Sequence, residues 1–376
     1  IARQLRVPVL TPLVPYIDKL FAPGLLPPFY FTYWIIIIAV IAIPHEFAHG
    51  IFARLNKIKV HSTGFGFLGP FLAAFVEPDE KEMEKAKKFP QLSILAAGTF
   101  ANILMTILFG ILLLAFFSLS FVPQGVYFNT YSQSLINTSD ITHVNGISLI
   151  DKDTTYIAKL NDTYLNITAN DVNYIVSSST LNQTYHNNLP EIIVFDDSPA
   201  FNSRLKGAIM EMNGIKISNQ EELIMAIRSF KPGEKVLIKT INSAHEVKEF
   251  SINMGDRNNT AFLGIGFYPP NRPGIMGKIY AIVAKIKDPF IYYHSKLGDL
   301  GIFINDLLWW IVIINFSVAI MNMLPVGIFD GGRFFLLTIW GITRNQKLAY
   351  YSFRVVTWIF LALAAAMMIK WVWVII

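Results

Sequence analysis

Ile43-Pro44-His45-Glu46-Phe47-Ala48-His49 closes a run from Phe29 to Ile43 that contains no charged residue. Two histidines four apart project from one helical face about one turn apart, so both imidazoles reach a single Zn²⁺. The glutamate between them is placed to accept a proton from water activated at that metal. Ionisable groups are expensive inside a bilayer and are kept there for function. The stretch therefore predicts a membrane helix carrying part of a zinc peptidase site.

The rest of the chain agrees with a membrane class. Of 376 residues, 53% are apolar and only 15% charged, with a mean hydropathy of +0.45, which argues against an ordinary soluble enzyme. The net charge of +5 is modest, and no basic stripe argues for nucleic acid. With no cysteine, disulfides and thiolate zinc sites are excluded, leaving His, Asp or Glu as ligands. The chain begins at Ile1 without methionine or a cleavable-signal pattern, and reads as a fragment or a trimmed chain, with room for an upstream helix.

Four segments have the length and composition of a span, at about 29–53, 91–121, 303–325 and 351–376. Between the first two, residues 64–76 are apolar but interrupted by Gly and Pro. They read as a re-entrant hairpin buried against protein, because irregular backbone facing lipid is not tolerated, with a hydrophobic surface loop as the other reading. Arg54, Lys57 and Lys59 after the first span, Lys81 to Lys88 before the second and Arg333 to Arg354 between the last two mark cytoplasmic ends. Trp34, Trp309, Trp310, Trp371 and Trp373 fit an outer aromatic belt. The histidine pair then lies near the cytoplasmic end of the first span.

Residues 122–300 are polar and Asn/Ser/Thr-rich, with sequons at Asn137, Asn161, Asn166, Asn182 and Asn258, and lie outside the cytoplasm by this topology. Within them, 191–195, 234–240 and 247–252 read as strands, 208–217 as a hairpin turning at Asn213-Gly214, and 220–230 as an amphipathic helix. This pattern resembles a PDZ domain of the protease-associated kind. Residues 125–185, with Val144-Asn145-Gly146, read either as a partial second copy or as a decorated lobe. Residues 277–300, with Lys278, Lys285, Lys287, Ile279, Ile282, Val283 and Ile286, read as an interfacial amphipathic helix.

Zinc needs a third protein ligand and an open position. Asp330, after the third span, is the carboxylate that topology puts at the depth of the histidines, whereas Glu77 and Asp79 look cytoplasmic. His61, His143, His186, His245 and His294 are scattered and without partners, and carry no metal role in this reading.

The His45–His49 motif, the Asn322-x-x-Pro325 element, Asp330-Gly331-Gly332 and the Gly98-xxx-Asn102 element together resemble the site-2 protease family of intramembrane zinc metallopeptidases, in an archaeal-type form with a PDZ-like insertion. Phe329 and Gly327 depart from the family's usual Leu and Pro, Thr99 replaces a common Pro, and Pro44 precedes the histidine motif. No departure removes a ligand or the base.

The resemblance implies Zn²⁺ held by His45, His49 and Asp330, and Glu46 as general base. It further implies cleavage of transmembrane segments of membrane-anchored proteins. Asn102, Asn322, Gly66 and Phe67 are the candidates for holding substrate or stabilising the transition state, with a helix–helix hydrogen bond as the other reading of Asn102. The expected architecture is a polytopic α-helical membrane protein with a re-entrant β-hairpin and an extracytoplasmic α+β PDZ-like domain. It divides into a membrane half (1–121), a lobe (122–189), the PDZ-like domain (190–270), a connector (271–302) and a second membrane half (303–376). The partners are membrane-anchored substrates and the lipid bilayer. The competing readings are another membrane-bound metallopeptidase using a downstream helical glutamate, and a non-catalytic PDZ-bearing scaffold.

Overall fold

The computed structural model describes residues 29–68, 71–149, 162–242, 245–268 and 274–375. Its chain divides into two compact units, one running up to Ser120 and resuming at Leu297, the other running from Phe121 to Lys296. The tip of the predicted re-entrant hairpin (Gly69, Pro70), the Asn161 sequon and the side chains of Phe67, Trp371 and Trp373 lie outside the described residues.

The first unit opens with helix α1 (Phe31–Leu55), which continues through Pro44. Its run of isoleucines is a poor helix former in water, but in lipid the helix satisfies every backbone group internally. Asn56 ends it, its Nδ2 donating to the Phe52 carbonyl, and Arg54 sits in the last turn where a cation is favoured. Strands β1 (Val60–Leu68) and β2 (Phe71–Pro78) then form an antiparallel hairpin, with Phe65 opposite Ala74 and Gly66 opposite Ala73. Asp79 caps the short helix α2 (Glu80–Lys85) by accepting from the Glu82 backbone N–H at 2.9 Å. That hydrogen bond, helped by His61, holds the Asp79 carboxyl below the usual carboxylate range. Helix α3 (Lys88–Ser120) follows. Its 33 residues span about 50 Å, more than a bilayer core.

The second unit contains two larger sheets. The chain enters it on β3 (Phe121–Val126), passes β4 (Thr130–Tyr131), and leaves to build β5 (Gln133–Asn137), β6 (Ile141–Val144), β7 (Ile147–Ser148), β8 (Tyr164–Ala169) and β9 (Val172–Ser177). Helix α4 (Ser178–His186) and β10 (Glu191–Asp196) complete a six-stranded sheet in the order β5-β10-β9-β8-β6-β7, closed over Leu165, Ile167, Leu181 and Val194. A short helix α5 (Pro199–Asn202) returns the chain to β11 (Ala208–Met212) and β12 (Ile215–Lys216). Asn213 (φ 46°) and Gly214 (φ 85°) make the turn between them in the left-handed conformation that Asn-Gly tolerates.

Helix α6 (Gln220–Ser229) is capped by Asn219 and buries Leu223 and Ala226. Strands β13 (Lys235–Ile241) and β14 (Val247–Asn253) extend a sheet in the order β14-β13-β11-β3, and β18 is its last member. Between them come β15 (Gly255–Arg257), β16 (Thr260–Phe262), β17 (Ile265–Gly266), helix α7 (Gly274–Ala284) and then β18 (Ile291–Ser295). Ile209, Met212, Val236 and Ile238 fill this second core.

Three sequence expectations are revised. Strand β10, grouped with 190–270, pairs instead with β5 and β9, while β3, assigned to the membrane half and lobe, pairs with β11 and β18. The segment 133–196 is therefore an insert between β3 and α5. The helix expected over 277–300 stops at Ala284, because Asp288-Pro289 interrupts it and Tyr292 and Tyr293 favour the strand that follows. Trp310 is not in an aromatic belt. It is 2% exposed and packs its ring 4.6 Å from that of Phe29.

The chain re-enters the first unit on α8 (Gly298–Asn322), followed by α9 (Asp330–Thr343) and α10 (Gln346–Ile375). Helices α1, α3, α8 and α10 are each long and apolar enough to cross a membrane. α3 packs against α1, α8 and α9, so it is the helix around which the unit is assembled.

Candidate metal centre

His45 and His49 lie on the α1 face turned to α3, their ring centroids 4.8 Å apart and nearly perpendicular. Gly98 of α3 makes this approach feasible. A Cβ there would stand 2.4 Å from His45 Cε1 and 2.5 Å from the Nε2 atoms of both histidines. No side chain fits, so the small residue of the Gly98-xxx-Asn102 element is a steric requirement.

The imidazoles are also held from behind. His49 Nδ1 donates to the Ile94 carbonyl at 2.7 Å, which leaves its Nε2 unprotonated in the neutral ring. Asn102, fully buried, sets its Nδ2 3.2 Å from His45 Nδ1. On the other side of that ring, Asn322 Nδ2 stands 3.4 Å from His45 Nε2.

Asp330 arrives from the opposite end of the chain, at the first position of α9. The turn before it folds tightly onto the helix start, with Phe329 N–H donating to Val326 O and Gly332 N–H to Phe329 O, each at 3.0 Å. A Cβ on Gly331 would meet the Met323 carbonyl carbon at 2.3 Å, and one on Gly332 the Val326 oxygen at 2.4 Å. Thr357 of α10 donates its hydroxyl to Pro325 O at 3.0 Å and fastens the turn. The two glycines let backbone approach backbone, and that contact aims the carboxylate.

The result is a compact triangle. His45 Nε2 and His49 Nε2 are 3.2 Å apart, and Asp330 Oδ2 is 3.4 and 3.3 Å from them. Tetrahedral zinc with bonds of about 2.0–2.1 Å puts neighbouring ligand atoms roughly 3.3–3.4 Å apart. The three side chains thus form a group that could hold a metal ion, and their spacing fits zinc with a fourth position left open.

A cleft of about 880 Å³ opens beside the triangle and is lined by His45, Glu46, His49 and Asp330. Strand β2 supplies Phe75, Val76 and Glu77 to its wall, and Asp79 and Arg333 also border it. Gly66, on β1, is not part of this lining. Of the residues proposed from sequence, His45, Glu46, His49 and Asp330 meet in one place. Asn322 reaches the same face of His45, and Asn102 sits behind the ring.

Sequence reasoning missed several neighbours. Glu77 and Asp79, set aside as lying beyond the hairpin, border the cleft, because β2 runs back alongside α1. His61 is not without a partner. Its Nε2 lies 3.1 Å from Asp79 Oδ2, and it also lines the cleft. His245 likewise bonds to the Tyr292 hydroxyl at 2.6 Å. The Ile94 carbonyl could not have been found, since a backbone acceptor leaves no mark on residue type.

Comparison with known proteins agrees with this geometry. A search of curated proteins gives no match. The family model described as Peptidase family M50 matches residues 33–364, a span that includes both histidines, Glu46 and Asp330. The chain belongs to peptidase family M50, the site-2 protease family of zinc metallopeptidases.

Proposed function

We propose that this chain is a zinc-dependent intramembrane endopeptidase that cleaves transmembrane segments of membrane-anchored proteins. One observation carries the reading. Three ligand atoms converge to within 3.2–3.4 Å of one another at a cleft that also receives Glu46, and two of them come from a helix of membrane-spanning length.

When bound by His45, His49 and Asp330, Zn²⁺ supplies a Lewis acid that polarises the scissile carbonyl and lowers the pKa of water. The Glu46 carboxylate takes the proton of the attacking water and passes it to the leaving amide nitrogen. Asn322, in front of His45, donates from Nδ2 to the carbonyl oxygen as that atom gains charge. An extended substrate pairs with the edge of β2 not engaged by β1, so main-chain hydrogen bonds hold it along the cleft. Gly66 and Phe67 contribute indirectly, through the register of β1 on β2.

The basic residues flanking the spans favour a site near the cytoplasmic face of the cell membrane, with the second unit outside the cytoplasm. Within that unit, α5, the β11–β12 hairpin, α6 and the β13–β14 pair support a PDZ-like fold that filters substrates by tail or ectodomain size. Phe121 and Ser295 face each other in register, so a short linker can bypass the unit from Ser120 to Leu297. The bypassed chain is expected to cleave long-ectodomain substrates as readily as short ones. Unchanged selectivity would sink the filter.

The peptidase itself is tested by purifying the chain in detergent, measuring bound zinc, and following cleavage of a model single-span substrate. Glu46→Gln should keep zinc and lose about 10²–10⁴-fold in cleavage rate. Zinc-bound protein with cleavage indifferent to Glu46 would remove the proposal.

A further inference from the structure

The two ring-supporting contacts differ in kind. His49 rests on a backbone carbonyl, which can only accept, so its tautomer is fixed by the fold. His45 has a carboxamide in the corresponding place, and a carboxamide presents either a donor or an acceptor from one position by turning half-way round. Asn102 is 0% exposed, and its Oδ1 has no partner among the described residues while Nδ2 points at His45 Nδ1. In that orientation the neutral His45 ring carries its proton on Nε2, the atom facing Asp330 and His49. With the carboxamide turned, Oδ1 accepts from Nδ1–H and Nε2 is bare. The ring keeps one proton in both arrangements; only its position changes.

We infer that Asn102 is a positioning residue that selects the His45 tautomer, with Oδ1 accepting from Nδ1–H whenever Nε2 serves as a ligand. This rests on the zinc-peptidase reading above. Asn102 is fully buried behind the ring, so it is out of reach of substrate and acts only through His45. A ligand histidine whose far nitrogen is held by an outer partner binds metal with the correct tautomer and ring orientation already set. Asn315 offers an internal contrast. It is equally buried, but its Nδ2 donates to the Ile311 carbonyl within its own helix, and among the described residues no histidine bonds to it.

The test is zinc affinity of the full chain in detergent, measured by competition with a chelator, alongside thermal stability. Asn102→Leu should weaken zinc about 10–100-fold. Asn102→Asp, whose ionised carboxylate only accepts, should stay close to wild type at a pH where it is charged. Asn315→Leu should change stability without changing zinc affinity. In zinc-loaded protein the His45 proton is on Nδ1, and its resonance should be shifted downfield by the hydrogen bond to Asn102 in wild type and lose that shift in Asn102→Leu.

If Asn102→Leu binds zinc like wild type and only loses stability, Asn102 is a helix–helix bond and the inference falls alone. If wild type binds no zinc, the peptidase reading falls with it. A zinc-loaded wild type whose His45 Nδ1–H shows no hydrogen-bond shift would likewise overturn the assignment.

Discussion

The helical unit and the β-rich unit solve opposite problems with one chain. Around α3 and α10 the apolar side chains point outward: Ile111 is 61% exposed and Trp358 71%, while Asn102 and Asn315 are fully buried. In the β unit the order reverses, with Ile209, Met212 and Ile238 fully buried and Lys235 and Glu249 on the surface. Water drives the second arrangement, because removing apolar area from it is favourable. Lipid offers no such gain, so helices there associate through close packing and polar contacts, and interior space goes to the groups that do chemistry. Polar residues inside the helical unit therefore either serve the site, as His45 does, or bond within their helix, as Asn315 does, whereas apolar residues inside the β unit report only on folding.

This contrast can be attacked where its effects are largest. Gly98→Ala inserts a methyl group 2.4–2.5 Å from both imidazoles and should lower zinc affinity at least about 100-fold, with cleavage lost in parallel. Retained zinc in a chelator competition would mean that α3 can retreat, and that close packing does not set the site. Next in size is a paired truncation, read by thermal and denaturant unfolding in detergent. Ile238→Ala should cost about 2–5 kcal/mol in the β unit, where a cavity replaces packed methylene groups. Ile111→Ala, the same chemical change on an outward helical face, should stay within about 0.5 kcal/mol. Equal losses at the two positions would erase the distinction between the two environments.

Much of this was legible in the sequence, and the legible parts share a cause. Span lengths, the Asn213-Gly214 turn and the His45–His49 spacing are local, so residue type and periodicity carry them directly. Asp330 could be added because hydropathy and charge bias place both ends of the chain on one depth scale. What stayed hidden is non-local. Nothing in Glu191–Asp196 says that it pairs with β5 and β9, since its alternation suits either sheet. Trp310 looked like a belt residue because tryptophans flank bilayers, yet Phe29 and the surrounding helices enclose it. That Glu77 and Asp79 border the cleft was hidden for the same reason, as the return of β2 beside α1 is a tertiary fact.

The insert between β3 and α5 also bears on how the β unit is made. Strand β3 leaves the ribosome first, but its partners β11 and β18 are synthesised only after the whole six-stranded sheet. That sheet is complete by Asp196. The earliest strand of the unit must therefore wait for β18 through most of that unit's synthesis, and the loop it finally closes against β18 is the longest in the unit. The inserted lobe can fold in the meantime from its own strands, so the order of assembly runs from the middle of this unit outward to its two ends.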